Sequence, residues 1–185
     1  VTNTGGGDIT LAAEGNTVTD DLDINANVTA TGGDGAINLF AGDSIDVDAA
    51  VTVSTVGSGT ILVSASTDFN AGTPQNGFAS TGPEQGDVNM RNGSTISAED
   101  GAITLQGSGH VNLSIVNADS NTDGTSGTVI IIADFDGVGT GLADNEGAIT
   151  DNLAAETPNI TALNVAFRAG DGVGTDADNI NTASL

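Results

Sequence analysis

The sharpest chemical signal in this chain is Asp119-Ser120-Asn121-Thr122-Asp123-Gly124-Thr125. Acidic or amide side chains at alternate positions, followed by a turn glycine at the sixth, form the first half of an oxygen-rich calcium loop. Asp119, Asn121, Asp123 and Thr125 would aim alternate oxygens at one ion while Gly124 permits the sharp bend. The second half departs from that pattern: Ile130 stands at the twelfth position, where a bidentate carboxylate belongs. The competing reading is a polar Asp/Asn/Gly corner with no ion. Ca2+ is the one cofactor for which the sequence offers a place.

Other clusters carry less. Asp134-Phe135-Asp136-Gly137 continues into Val138 and Thr140, which supply no charge. Gly32-Gly33-Asp34-Gly35 opens like a calcium-binding nonapeptide repeat, but Ile37 occupies the place of its aspartate and no tandem copy follows. Asp20, Asp21, Asp23, Asp46 and Asp48 read as outward carboxylates on strand faces, solvated unless stacking forces them to share a cation. His110 is the only histidine, so neither a Ser-His-Asp arrangement nor a two-histidine metal site can be assembled. It is expected to be solvent-exposed at the start of a strand. Arg91 and Arg168, the only basic residues, are expected to pair with nearby carboxylates.

These observations weigh against an enzyme. A lyase acting on acidic glycans needs cations beside the uronate, and this chain has no lysine and two arginines. A glycan hydrolase needs only paired carboxylates and stays as a remote alternative, although the chain has no Trp or Tyr to serve as a sugar platform. With 25 acidic residues and a formal net charge of -23, nucleic acid is excluded as a partner, because phosphate binding requires clustered cations. No apolar run approaches the roughly 18 residues of a membrane span. Without cysteine there is neither a disulfide framework nor a thiolate metal site.

The elements that must position these residues announce themselves through one recurring phrase: Gly, any residue, Ile or Val, a polar residue, then an apolar one. It appears as Gly7-Asp8-Ile9-Thr10-Leu11, Gly35-Ala36-Ile37-Asn38-Leu39, Gly59-Thr60-Ile61-Leu62-Val63, Gly86-Asp87-Val88-Asn89-Met90, Gly101-Ala102-Ile103-Thr104-Leu105 and Gly127-Thr128-Val129-Ile130-Ile131, with a degraded copy at Gly147-Ala148-Ile149-Thr150. The spacings are 28, 24, 27, 15, 26 and 20 residues, a loose period typical of stacked repeats. Apolar residues alternate with polar ones at period two, as in Leu22 to Val28, Ile45 to Ala49 and Val111 to Ile115, which places Ile, Val and Leu on one face of a strand. The Ala-rich stretch 152–156 is the only weak helical segment. Glycine-containing steps such as Asn92-Gly93, Asp100-Gly101, Asp123-Gly124 and Asp171-Gly172 mark corners that need positive φ.

Two or three strands per period, like stacking on like, predict an all-β chain folded as a parallel β-helix (β-solenoid) of about seven coils. The alternative is an antiparallel β-sandwich, since Asn-Gly and Asp-Gly steps also make hairpins. Residues 1–185 read as one solenoid segment, a repeat of a longer chain or filament. Residues 67–85, with Phe69, Pro74, Phe78 and Pro83 and no alternation, read as a loop excursion from one corner. Leu62, Ile130 and Ile132 are expected to face outward, as an apolar patch that Phe69 and Phe78 of the excursion cover. Asp136-Gly137-Val138-Gly139-Thr140 returns as Asp171-Gly172-Val173-Gly174-Thr175, which predicts equivalent turns on successive coils.

The phrases Gly-Asp-Ile-Thr-Leu, Gly-Ala-Ile-Asn-Leu and Gly-Ala-Ile-Thr-Leu, together with Phe167 to Gly174, resemble the giant β-strand-repeat surface proteins of bacteria, which are similar to filamentous-haemagglutinin-type exoproteins. The resemblance implies a parallel β-helix at the bacterial cell surface or in the extracellular matrix, serving structure or adhesion. It carries no catalytic residue with it, and residues 1–185 do not read as the amino-terminal secretion domain of that family. The expected role is therefore a rod or filament segment, with copies of itself or flanking repeats stacked end to end. A module binding a glycan or a host or cell-surface receptor is the second reading.

Overall fold

The computed structural model describes residues 1–13, 20–66, 86–135, 147–155, 157–174 and 179–183, and the backbone of 68–70 and 73–75. Among these residues there is no helix, and the described part of the weak helical segment predicted at 152–156, residues 152–155, forms none. The chain winds through three parallel sheets in turn. The first, sheet A, has seven strands: β1 (Thr2–Asn3), β4 (Val28–Ala30), β7 (Thr52–Thr55), β12 (Thr95–Ser97), β15 (Ile115–Asn117), β18 (Ile160–Thr161) and β21 (Thr182–Ala183). Sheet B has six: β2 (Ile9–Ala13), β5 (Ile37–Ala41), β8 (Ile61–Ser64), β13 (Ile103–Gln106), β16 (Thr128–Ile132) and β19 (Asn164–Arg168). Sheet C also has six: β3 (Leu22–Ile24), β6 (Ile45–Val47), β11 (Val88–Met90), β14 (Val111–Leu113), β17 (Ala148–Asp151) and β20 (Gly172–Val173). Neighbours within each sheet pair in parallel, one coil apart in the chain. This is the parallel β-helix the phrase predicts. At about 4.8 Å per rung, the seven rungs of sheet A, one for each of the about seven coils predicted, rise roughly 30 Å.

Register turns alternation into ladders. In sheet B, Ile9, Ile37, Ile61, Ile103, Val129 and Val165 form one inward column, and Leu11, Leu39, Val63, Leu105, Ile131 and Phe167 form the next. In sheet C, Leu22, Ile45, Val88, Val111, Ile149 and Val173 stack, and Ile24, Val47, Met90 and Leu113 beside them. The columns are sealed in the middle coils; on the end rungs Ile9 and Ile24 stay buried, Leu11, Leu22, Val165 and Phe167 are only half-buried, and Val173 is exposed. Asp151 continues the Met90–Leu113 column into the fifth coil. Its Oδ1 accepts hydrogen bonds from Leu153 N (2.6 Å) and from the fully buried Asn159 Nδ2 (2.5 Å).

Register also corrects the repeat. Gly7, Gly35, Gly59, Gly101 and Gly127 precede strands of sheet B, whereas Gly86 and Gly147 precede strands of sheet C. The short spacing of 15 residues is therefore a step between sheets, and Gly59 to Gly101 is one 42-residue coil that holds the excursion. Leu163 stands in the glycine column on the last rung. The alternating run Val111 to Ile115 also proves to be two strands, broken at the buried corner residue Ser114, whose Oγ accepts from Gly93 N at 3.0 Å. Leu22 to Val28 likewise splits into β3 and the start of β4.

The glycines of the sheet B column are not there for unusual φ. Positive φ occurs at Gly33, Gly93, Gly124 and Gly172, as the corner steps predict; Gly101, for which the Asp100-Gly101 step predicts it too, does not have it, nor do Gly35, Gly59 or Gly127. The column is instead a line of close backbone approach. A Cβ on Gly35 would lie 2.5 Å from the carbonyl oxygen of Gly7, and one on Gly59 2.6 Å from that of Gly35; Gly101 and Gly127 have still less room.

The excursion contains an antiparallel hairpin that the sequence does not announce, β9 (Asp68–Asn70) with β10 (Thr73–Gln75). Strand β9 lies alongside β5, where Phe40, on the outward side, is buried at 4 % exposure. Despite this insertion, β8 and β11 keep register with the coils on both sides. Only part of the paired Asp-Gly-Val-Gly-Thr motifs can be followed. The first, 136–140, lies outside the described residues, while Gly172 and Val173 of the second form strand β20, in register with Ala148 and Ile149.

Candidate functional site

The corner between sheets A and B carries the residues singled out for metal binding. Between β15 and β16 the chain spends ten residues on this corner, where the coil before it spends five between β12 and β13. Asp119 is fully buried, and its Oδ1 accepts from Asp123 N at 3.2 Å. Asn121 Oδ1 accepts from the same amide at 3.3 Å, and Asp123 Oδ1 accepts from Thr125 N at 2.7 Å. Thr122 (φ 58°) and Gly124 (φ 85°) provide the left-handed bends. Asp119, Asn121 and Asp123 are thus brought together around the loop's own amides, which is how an Asx corner satisfies its backbone. Thr125 joins them through its amide.

The sequence gives no sign of Asp100. It belongs to the same corner one coil earlier, because Ser97 is in register with Asn117 and Ser120 N donates to Ala98 O. Asp119 Oδ2 and Asp100 Oδ1 are both closed off from solvent with no hydrogen-bond partner. Desolvation pushes the Asp100 carboxyl above its ordinary value, reinforced by the neighbouring charges of Asp123, Glu99 and Asp119 and opposed by the Asn121 amide. Among the described residues no three Asp, Glu or His side chains stand together as a preformed metal cage.

A second set of polar groups runs along the edge where each coil enters sheet C. Ser44 N donates to Asp21 Oδ1 (3.1 Å), Asp87 N to Ser44 Oγ (3.1 Å), His110 N to Asp87 Oδ1 (2.6 Å) and Ala148 N to His110 Nδ1 (3.1 Å). Each side chain, one residue ahead of its strand, accepts the amide of the same position on the next coil. His110 is exposed, as expected, and its imidazole serves as a link in this chain. Replacing His110 by Ala should lower stability by about 0.5–1.5 kcal/mol, the net value of one such bond, whereas Asp, the residue used at positions 21 and 87, should retain most of it. Urea denaturation of the two variants side by side measures the difference.

Sheet C also carries the acidic face. Asp23, Asp46, Asn89, Asn112 and Thr150 form its outward column, with Asn112 Nδ2 donating to Asn89 Oδ1 (2.5 Å) and Thr150 Oγ1 to Asn112 Oδ1. Arg91 bridges Asp46 (3.3 Å) and Asp48 (3.2 Å). Burial nevertheless raises the Asp46 carboxyl above its ordinary value; Arg91 opposes the rise, and Asp23, Asp21 and Asp48 add to it. Arg168, expected to pair as well, makes no ion pair with a described residue.

Of the expected apolar patch, Leu62 and Ile130 face outward and are partly buried, in one column separated by Thr104. Ile132 lies in the neighbouring column beside Gln106 and is buried at 8 % exposure. The side chains of Phe69 and Phe78 lie outside the described residues. No protein-family model, no curated protein and no solved structure matches this chain.

Proposed function

We propose that this chain is a structural segment of an extracellular bacterial rod or filament, built by coil-on-coil β stacking and without catalytic activity. The observation that carries this reading is the uninterrupted parallel register of all three sheets around one narrow aliphatic core. Such a stack has no natural limit along its axis, since each coil contacts only its neighbours. The half-buried columns at Leu11 and Leu22 on one end and at Val165 and Phe167 on the other are what further coils would cover. These coils belong to flanking repeats or to another copy. A charge of -23, with no lysine, suits a surface that stays solvated and keeps neighbouring rods apart.

Electron microscopy of the native material tests the reading. Extended fibres are expected, with fibre diffraction showing a meridional repeat of about 4.8 Å. Discrete globules would overturn it.

A further inference from the structure

We propose that the A-to-B corner formed by Asp100 on one coil and Asp119, Asn121 and Asp123 on the next binds a calcium-type divalent cation that ties the two coils together. Aspartates near one another do not by themselves make a site. What points to a ligand here is the state of Asp119. It is fully buried, its Oδ1 is held inside the loop by the Asp123 amide, and its Oδ2 is sealed from solvent with nothing to accept from. A carboxylate oxygen in that position loses its hydration and gains no donor, which is costly unless a cation takes the donor's place. Asp100 is only half-buried as a residue, but its Oδ1, one coil away on the same corner, is likewise sealed from solvent and without a donor. The Asp100 carboxyl, raised first by desolvation and then by the charges of Asp123, Glu99 and Asp119, fits a crowded anionic corner.

The donor set is all oxygen, from carboxylates and an amide, which is the chemistry of a hard cation. Ca2+ suits it better than Mg2+, because Ca2+ accepts irregular ligand sets whereas Mg2+ demands near-ideal octahedral geometry. Asp119 Oδ2 and Asp100 Oδ1 would be the anchoring ligands. Asn121 Oδ1 and the Asp123 carboxylate stand on the same loop, the latter held loosely by Asn121 Nδ2 at 3.4 Å, and would close in on the ion as it binds. Water would complete the shell. With no bidentate glutamate in the loop, affinity belongs in the weak range of extracellular modules, about 10⁻⁴ to 10⁻³ M.

The test is a CaCl2 titration of the 185-residue chain in 150 mM NaCl, followed by amide NMR. Saturable shifts are expected at 99–101 and 119–125. At calcium about 100-fold above Kd, the melting temperature should rise by about 5–10 °C. D100N and D119N should each weaken binding at least tenfold, whereas D46N, on the acidic face of sheet C, should leave it unchanged. Shifts that never saturate, or that spread over sheet C and fall with D46N as much as with D100N, would mean counterion screening only and overturn the proposal. Because the shift map is read on the unaltered chain, it decides the matter even if D119N does not fold.

Discussion

Gly101→Ala is expected to destabilise the fold by about 3 kcal/mol or more, the upper end of overpacking effects. The added methyl would point at the carbonyl of Gly59 on the preceding coil, far inside van der Waals contact, with Ser58 O also close. Backbone cannot rotate away as a side chain can. Relief would require the two coils to separate locally, which breaks the ladder between β8 and β13. Gly93→Ala is the control. Gly93 has φ 82° and open space around its missing Cβ, so alanine there meets only the left-handed backbone penalty of about 1–2 kcal/mol. Denaturant midpoints of the two variants measure the gap. If Gly101→Ala costs no more than Gly93→Ala, the close approach of successive coils is wrong.

Leu105→Ala should cost about 2–5 kcal/mol, as for other fully buried leucines truncated to alanine. Leu105 is 0 % exposed, between Val63 below and Ile131 above. In a slender core no second layer of side chains is available to collapse into the void. Leu11→Ala, in the same column on a half-buried end rung, should cost less than half as much. A further consequence follows from the one-dimensional architecture. Stability in a solenoid is passed from coil to coil, so a defect at the middle should uncouple the two halves and split a single unfolding transition into two. A single transition shifted as a whole would show instead that the stack behaves as one cooperative unit.

Much of this architecture was legible in advance, and the limits were physical. The Gly-x-Ile-x-Leu phrase reports a local demand: a corner pressed against the coil before it, then an inward-outward alternation. Two of the three corners make that demand. A Cβ on Gly86 would lie 2.5 Å from Asp43 O, and one on Gly147 2.6 Å from Gly109 O, much as in the sheet B column. The phrase therefore identifies a coil entrance without saying which sheet follows, and the spacings looked irregular for that reason. Ser114 reads as part of a strand in the sequence because a buried corner residue leaves the alternation intact on either side. Asp119, Asn121 and Asp123 could be grouped because they are close in sequence. Asp100 and the Asp21–Ser44–Asp87–His110 chain could not, since only the stacking of coils makes neighbours of residues 19 or more apart.

The hairpin β9–β10 leaves a single coil at its B-to-C corner without disturbing the rungs on either side, because the ladder bonds are made by strands and the corner merely joins them. Corner length and axial height are thus independent. Foreign peptides spliced between residues 66 and 86 would emerge at a fixed level along the axis of the β-helix, and a series of such grafts in successive corners would space their cargo like marks on a molecular ruler, about 4.8 Å apart.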